Sequence, residues 1–370
     1  MSTSRRRRAR VRQLFARLRG PEAESGGTEA ANVRRWDGEA RGHYEVWYLT
    51  TNHRASGVGF WIRYTLEAPL HGEGEPYAQL WFAAFDRRDP TKNVAIHRRL
   101  PIAAMRADAG PFALALGDSE LGHDRARGAL VGGGHDVAWD LRWTPATTLH
   151  HHLPRVMYRR GGLGETTVLS PNLMVPMHGA ITVDGRRYEF TGESGGQTHL
   201  WGRKHAHAWA WGHCTEFDGP HAAALESLTV RLKRRGRTLP PLTLLTLYLD
   251  GEEHRFTRLR QALGRRTSAT IDTARYAFTA RSARVRLRGA FRCRPQDMVT
   301  APYVDPDGAP SFCANTEVGD LKLVVERREG GRWYEAARLT SSGRAHFEIG
   351  AREPDPAILA VHRALDGDAD

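Results

Sequence analysis

The chain of 370 residues is 40% hydrophobic and 26% charged, and its formal net charge is +12 at pH 7. That length allows two domains of ordinary size, and no run approaches the roughly 18 uncharged apolar residues of a membrane span. Three widely spaced cysteines, Cys214, Cys293 and Cys313, offer neither a disulfide framework nor a paired zinc spacing.

The positive charge is concentrated at the start. Arg5, Arg6, Arg7, Arg8, Arg10, Arg12, Arg17 and Arg19 face no acid among residues 1–20, so eight of the twelve net charges sit there and the rest of the chain is nearly balanced. No apolar core follows the run, which therefore does not read as a secretory signal; a cytoplasmic location is expected. With the linker-like Pro21–Gly27 behind it, the whole of residues 1–32 is expected to be a disordered basic tail. Within residues 5–19, Val11, Leu14, Phe15 and Leu18 fall at helical spacing among arginines, a pattern suited to peripheral contact with an anionic membrane. Nucleic-acid binding needs basic residues interleaved with exposed aromatics, and the aromatics here alternate as strand cores do, so no nucleic-acid partner is expected.

From Trp36 onward the pattern has period two. His43–Asn52 and Val58–Glu67 read as a hairpin, with Phe60, Ile62, Tyr64 and Leu66 on one face and Trp61, Arg63, Thr65 and Glu67 on the other. Further strands are predicted at 77–85, 93–102, 112–117, 125–131 and 135–143, then at 179–183 and 187–191 around an Asp184-Gly185 turn. The second half repeats the texture through 224–233, 242–249, 253–258, 274–279, 283–291, 321–326, 333–338 and 345–349. No βαβ alternation is present. The class is all-β, and the strands suit two antiparallel barrels better than one. The boundaries are set at 33–185 for the first barrel, 186–355 for the second and 356–370 for a tail or short helix.

Gly192–Phe217 is farthest from average composition. Read as one extended strand, it puts His199, Trp201, Arg203, His205, His207, Trp209, Trp211 and His213 on one face and mostly small residues such as Ala206, Ala208, Ala210 and Gly212 on the other. An indole and imidazole surface backed by small residues suggests a cavity wall lying close over another layer. The Gly192-Glu193-Ser194-Gly195-Gly196 match to a nucleophile elbow lacks the helix that must follow it. His205 and His207, with a carboxylate such as Glu216, could begin a metal site, but one spacing does not identify a third ligand. No metal and no nucleotide cofactor is expected. In the opening hairpin, Glu45 shares a face with His43 and Trp47, and buried charges need partners; a Glu45–Arg63 pair inside the first barrel is expected.

Three segments together carry a resemblance. His43-Tyr44-Glu45-Val46-Trp47-Tyr48-Leu49 with Gly59-Phe60-Trp61-Ile62-Arg63-Tyr64, the central His199-Leu200-Trp201-Gly202 and Trp209-Ala210-Trp211-Gly212-His213, and Tyr303–Gly308 through Phe312–Glu317 resemble the carotenoid 1,2-hydratase, AttH-like and tocopherol cyclase-like lipocalin superfamily. The resemblance implies two tandem lipocalin-like (calycin) barrels with a site near their interface, and relatives that act on greasy polyenes by protonating or preorganising an alkene. The chain departs from the hydratase pattern where Val46 separates Glu45 from Trp47, and in its longer histidine-rich run.

The expected function is therefore a lyase or isomerase acting on an apolar, unsaturated small molecule. Trp47, Tyr48, Trp61, Arg63, His199, Trp201, Arg203, Trp209 and Trp211 are expected to bind it, and Glu45, His207 or His213 to supply a proton. A non-catalytic lipid or pigment carrier would use the same pocket, and a histidine-ligated hydrolase or oxygenase is the third reading. The chain is expected to act as a monomer or homodimer.

Overall fold

Alternating side chains and glycine-rich turns build antiparallel strands along almost the whole chain. The computed structural model describes residues 27–109, 111–158, 165–234, 236–258, 260–261, 266–359 and 365–366. The first half contains β1 (His43–His53), β2 (Val58–Ala68), β3 (Tyr77–Asp86), β4 (Val94–Pro101), β5 (Met105–Ala109), β6 (Phe112–Leu116), β7 (Ser119–Gly122), β8 (Arg125–Gly132), β9 (His135–Trp143), β10 (His150–His151), β11 (Thr166–Val183) and β12 (Arg186–Gly202). These form one sheet in the order β4-β3-β2-β1-β12-β11-β9-β8-β7-β6-β5, with β10 beside β11.

The second half contains β13 (Ala208–Cys214), β14 (Ala223–Arg231), the pair β15 (Lys233–Arg234) and β16 (Arg237–Thr238), then β17 (Leu242–Leu249), β18 (Glu252–Phe256), β19 (Thr267–Asp272), β20 (Arg275–Arg281), β21 (Val285–Arg292), β22 (Val299–Val304), β23 (Pro310–Glu329) and β24 (Arg332–Ala351). Its order is β18-β17-β14-β13-β24-β23-β21-β20-β19, with β22 on β23. Both halves follow one plan: the first long strand pairs with the last, β1 with β12 and β13 with β24, and each sheet curls into a nearly closed barrel around its own core. The short β25 (Leu365–Asp366) returns to run parallel with β4.

Turn chemistry fixes the hairpins that the sequence marks. Asp184 and Gly185 have φ of 50° and 78°, and Asp250 and Gly251 have 49° and 88°, the left-handed pair that a tight two-residue turn requires.

The central stretch is not one strand. It ends β12 at Gly202, crosses between barrels as residues 203–207, and resumes as β13 at Ala208. Gly202 marks the exit because a Cβ there would lie 2.1 Å from the Glu165 carbonyl oxygen. The barrels therefore divide between 202 and 208, not between 185 and 186, since β12 pairs with both β1 and β11. The hairpin around Asp184-Gly185 is correspondingly longer than its polar alternation suggests.

Residues 1–26, including residues 5–19 for which membrane contact is expected, lie outside the described residues. Residues 27–32 are not part of a disordered tail: Gly27–Ala30 forms a helical turn, and Ala31 and Asn32 are fully buried. At the other end Pro356–Leu359 is helical, with Ile358 in the second core.

Two faces of β13 explain how the barrels dock. Ala210 and Cys214 belong to the second barrel's core, and a Cβ on Gly212 would sit 2.4 Å from the Phe291 ring. The opposite face, with Trp209, Trp211 and His213, turns outward to the first barrel. There Trp61, Trp81 and Phe85 meet Trp209, Tyr303 and Val318 in a third apolar cluster. Because the small face has no room, Ala210→Trp should lower stability by about 1–3 kcal/mol or more. A denaturant melt checks this, and an unchanged midpoint would place Ala210 outside the core.

Candidate functional site

The docked outer faces leave a cavity of about 140 Å³ between the barrels. The first barrel contributes Tyr44, Val46 and Tyr48 from β1, Trp61 and Arg63 from β2, and Leu200 from β12. The second contributes Trp209 and Trp211 from β13, Leu228 and Val230 from β14, Tyr303 from β22 and Glu348 from β24. His152, Leu153, Met157 and Glu165, from the segment between β10 and β11, add to the wall with His205 and Ala206 from the crossing segment.

The polar groups in this apolar wall are few and held. Arg63 donates from Nε to Thr65 Oγ1 at 2.9 Å, and its guanidinium lies 4.1 Å from the Tyr303 ring centroid. Glu348 accepts from Trp209 Nε1 at 2.7 Å and from the Cys313 thiol at 3.3 Å. Burial pushes the Cys313 thiol well up, and the neighbouring Glu348 adds to the effect, so the thiol stays a donor. His205 stacks on Tyr44, Trp209 and Tyr303 at centroid distances of 4.6, 5.3 and 5.3 Å. Its Nδ1 is 2.6 Å from Asp305 Oδ1, and Asp305 is held in turn by Arg352 at 2.5 Å.

Behind the cavity runs a buried seam of histidines and carboxyl groups. Glu226 accepts from Trp211 Nε1 at 3.0 Å, pairs closely with His213, and lies 3.5 Å from His152 Nδ1. His213 stacks on His346 at 5.4 Å, and His346 Nε2 is 2.5 Å from Asn52 Oδ1. Burial, reinforced by His213, holds His346 well below the ordinary histidine range; burial, reinforced by Glu348, holds the Glu317 carboxyl well above the carboxylate range. Their 3.2 Å contact thus joins two groups that the interior keeps uncharged. Glu67, fully buried on β2, is likewise pushed well up by burial, against the pull of Arg63.

Tyr48, Trp61, Arg63, Trp209 and Trp211 therefore meet around one cavity. Glu45, Trp47, His199 and Trp201 do not join them. Residues 45 and 47 of β1 point into the first barrel, where Glu45 accepts from His199 Nε2 at 2.8 Å and from the backbone N–H groups of Arg35 and Trp36 at 2.6 and 2.9 Å, with His43 Nε2 at 3.2 Å. Trp47 stacks on His199 at 4.7 Å and donates to the Asn32 carbonyl, while Trp201 carries the Arg35 guanidinium 5.0 Å from its centroid. This network pins residues 27–36 to the barrel. No Glu45–Arg63 pair forms, because the two residues occupy opposite faces of adjacent strands.

Burial alone would raise Glu45, but the hydrogen bonds from His199 and His43 outweigh it and bring the carboxyl down from 4.5 to about 2. That is a held carboxylate, unsuited to giving a proton near neutral pH. Arg203 is exposed, and half-buried His207 lies on the crossing segment away from the cavity. His213 sits behind Trp211, in the seam. Among the described residues no three His, Cys, Asp or Glu side chains gather at ligand spacing; His205 is held by Asp305, and Glu216 is paired with Arg54 at 2.9 Å. Ser194 does not sit on a nucleophile elbow: it lies inside β12, with its hydroxyl 2.8 Å from Thr215 Oγ1.

Among the wall residues absent from the expected set are Tyr44, His152, Glu165, Tyr303 and Glu348, while His205 belongs to the indole and imidazole face expected to form a cavity wall. The alternation of β1 held the signal for Tyr44, which shares its face with Tyr48. Tyr303 lies in the third resembling segment. Nothing local marked His152 or Glu348.

Two tandem barrels docked around an apolar cavity define the chain as a double-barrel protein of the lipocalin-like superfamily. It belongs to the tocopherol cyclase-like family, whose sequence profile matches residues 123–351. It is 29% identical over 327 residues to an uncharacterised protein of Mycobacterium tuberculosis strain CDC 1551 / Oshkosh, and equally so to one of strain ATCC 25618 / H37Rv; the match covers 88% of this chain and 91% of each relative. Its fold is similar to that of an AttH-like protein from Nitrosomonas europaea (TM-score 0.54, 15% identity, 92% of this chain and 99% of the other). It is similar also to kievitone hydratase from Nectria haematococca (TM-score 0.50, 10% identity, 87% and 94%). No helix among the described residues is long and apolar enough to cross a membrane.

The Glu45 network makes a pH prediction. A carboxyl whose pKa falls on folding stabilises above its ordinary value, and loses that contribution as pH drops toward the folded value. Glu45→Gln should cost about 1–4 kcal/mol at pH 7, with the gap to the parent protein closing between pH 4.5 and about 2. Urea melts across that range test it; a gap independent of pH would mean that Glu45 carries no charge in the fold.

Proposed function

We propose that the inter-barrel cavity, which as it stands holds a group about the size of benzene, takes the alkene-bearing end of an apolar, unsaturated small molecule of isoprenoid, carotenoid or polyketide character, and that the protein catalyses its acid-assisted hydration, cyclisation or isomerisation. The observation that carries this reading is the Glu348 carboxyl group, tied to the Trp209 indole in a wall of mostly apolar side chains. Membership of a family described as tocopherol cyclase-like, and a fold similar to that of a protein named kievitone hydratase, support the reaction class.

In its acid form Glu348 gives its proton to one alkene carbon as the π electron pair forms the new C–H bond. The neighbouring carbon becomes cationic. Trp61, Trp209 and Trp211 present π faces to that cation, and the Trp209 N–H and Cys313 S–H bonds receive the charge left on the carboxylate. Attack by water and loss of its proton gives an alcohol; attack by a second double bond closes a ring and moves the cation to a new carbon, which then loses a proton; loss of a neighbouring proton without ring closure moves the alkene. Each course returns a proton to the carboxylate. Burial pushes the Glu317 carboxyl behind this wall toward its protonated form, which limits the charge that would oppose the transfer.

Two substitutions test this. Trp211→Ala removes a wall and should weaken binding of N-phenyl-1-naphthylamine about 5- to 150-fold, whereas Glu348→Gln should leave that affinity within about threefold, a change of side-chain charge and not of wall area. Incubating the parent protein with a panel of isoprenoid alkenes in D2O should give deuterated alcohols, rings or shifted alkenes by mass spectrometry. Glu348→Gln should lower that yield at least 100-fold, the scale on which a general acid acts. Probe binding without any deuterated product would assign the cavity to a carrier.

A further inference from the structure

A second cavity, about 740 Å³, shares no lining residue with the first. That volume lies within the range of small-molecule sites. Leu173, Met174 and Phe217 give it an apolar wall, and Met174 is half exposed at 51%.

Its rim is charged but balanced. Arg54 and Arg344 face Glu216 at 2.9 and 3.4 Å, Arg344 also pairs with Asp218, and His221 is 2.7 Å from Asp250. No net charge is left to attract an ionic ligand.

Three buried polar atoms of lining residues make no hydrogen bond; Glu216 Oε2 and Arg344 Nε face each other as an ion pair at 3.4 Å, which leaves His150 Nε2. His150, 2% exposed on β10, has Nδ1 2.9 Å from the Tyr248 hydroxyl, while its Nε2 is buried with no hydrogen bond. Leaving such an atom unpaired costs free energy that a ligand can recover. If Tyr248 donates to Nδ1, Nε2 carries the hydrogen and donates; if the ring donates to Tyr248, Nε2 accepts. A hydroxyl group satisfies either tautomer, because it can both accept and donate.

We propose that this cavity is a separate binding site for a neutral, largely apolar alcohol or phenol, whose hydroxyl bonds to His150 Nε2 while its hydrocarbon lies against Leu173, Met174 and Phe217. The site is independent of the chemistry assigned to the inner cavity.

Titrating the full chain with 2-naphthol and with naphthalene tests it. The parent protein should bind the naphthol about 3- to 10-fold more tightly, as one hydrogen bond allows. His150→Phe keeps a ring but removes both nitrogens, and should erase the preference while naphthalene binding persists. Ala223→Trp, which fills the cavity from its lining, should weaken both probes, and serves if His150→Phe fails to fold. Trp211→Ala removes no lining residue of this cavity and should keep the preference. Equal affinities in the parent protein would overturn the proposal. So would a preference that survives His150→Phe and Ala223→Trp but disappears in Trp211→Ala, since the hydroxyl would then be read in the inner cavity. Naphthalene binding unaffected by Trp211→Ala would count against the inner-cavity reading and leave this one standing.

Discussion

β2 has no face for solvent, and the rest of the architecture follows from that. All of its residues from Val58 to Ala68 are buried: Phe60, Ile62, Tyr64 and Leu66 fill the first barrel, while Trp61 and Arg63 meet the second. An antiparallel strand usually keeps one wet face, so a strand buried on both sides needs a partner surface, and the second barrel supplies it. The contact is close at Gly59, where a Cβ would lie 2.6 Å from the Glu317 Cβ and 2.7 Å from its carbonyl oxygen. Four residues along, at Arg63, the barrels stand apart around Tyr48, Tyr303 and Trp211. The cavity exists because backbones touch at one level and large rings intervene at the next.

The same docking decides the state of each buried carboxyl group. Glu45 lies inside the first barrel with four donors around it, so desolvation is outweighed and the carboxylate persists. Glu67 and Glu317 lie on the outer faces pressed between the barrels, where no comparable set of donors turns to them, and desolvation wins. The first therefore serves as an anchor for the N-terminal segment. The others put protonated groups beside the cavity without adding charge.

Most of the fold was legible because period-two alternation and Asp-Gly turns are local signals. The β1–β2 and β8–β9 hairpins fall within about a residue of their predicted ends. Where the alternation ran on without punctuation, it misled: Gly192–Phe217 keeps its period across the crossing at 203–207, because both strands present indoles or imidazoles at alternate positions. The break depends on Gly202 passing the Glu165 carbonyl, a contact between residues 37 apart that no window of sequence contains. The choice of Glu45 failed for a related reason. Its face was identified, but whether that face is the lumen of a barrel or the junction between two depends on which strands close the sheet. Tyr44 and Tyr48, one residue to either side of the Glu45–Trp47 face, belong to the junction.

The seam behind Trp211 bears on which chemistry the junction can support. A cation formed beside the indoles would be captured by any exposed carboxylate or water, so a productive site has to keep both few. His152 and His213 flank Glu226, which also accepts from the Trp211 N–H; these contacts hold that carboxyl group behind the indole wall, and it does not line the cavity. His346 and Glu317 stay uncharged beside them. Among the described carboxyl groups, Glu348 and Glu165 reach the cavity wall, and Glu348 alone of these two is tied to a wall indole, Trp209. A proton leaving Glu348 is therefore delivered next to the surface best able to stabilise the charge it creates.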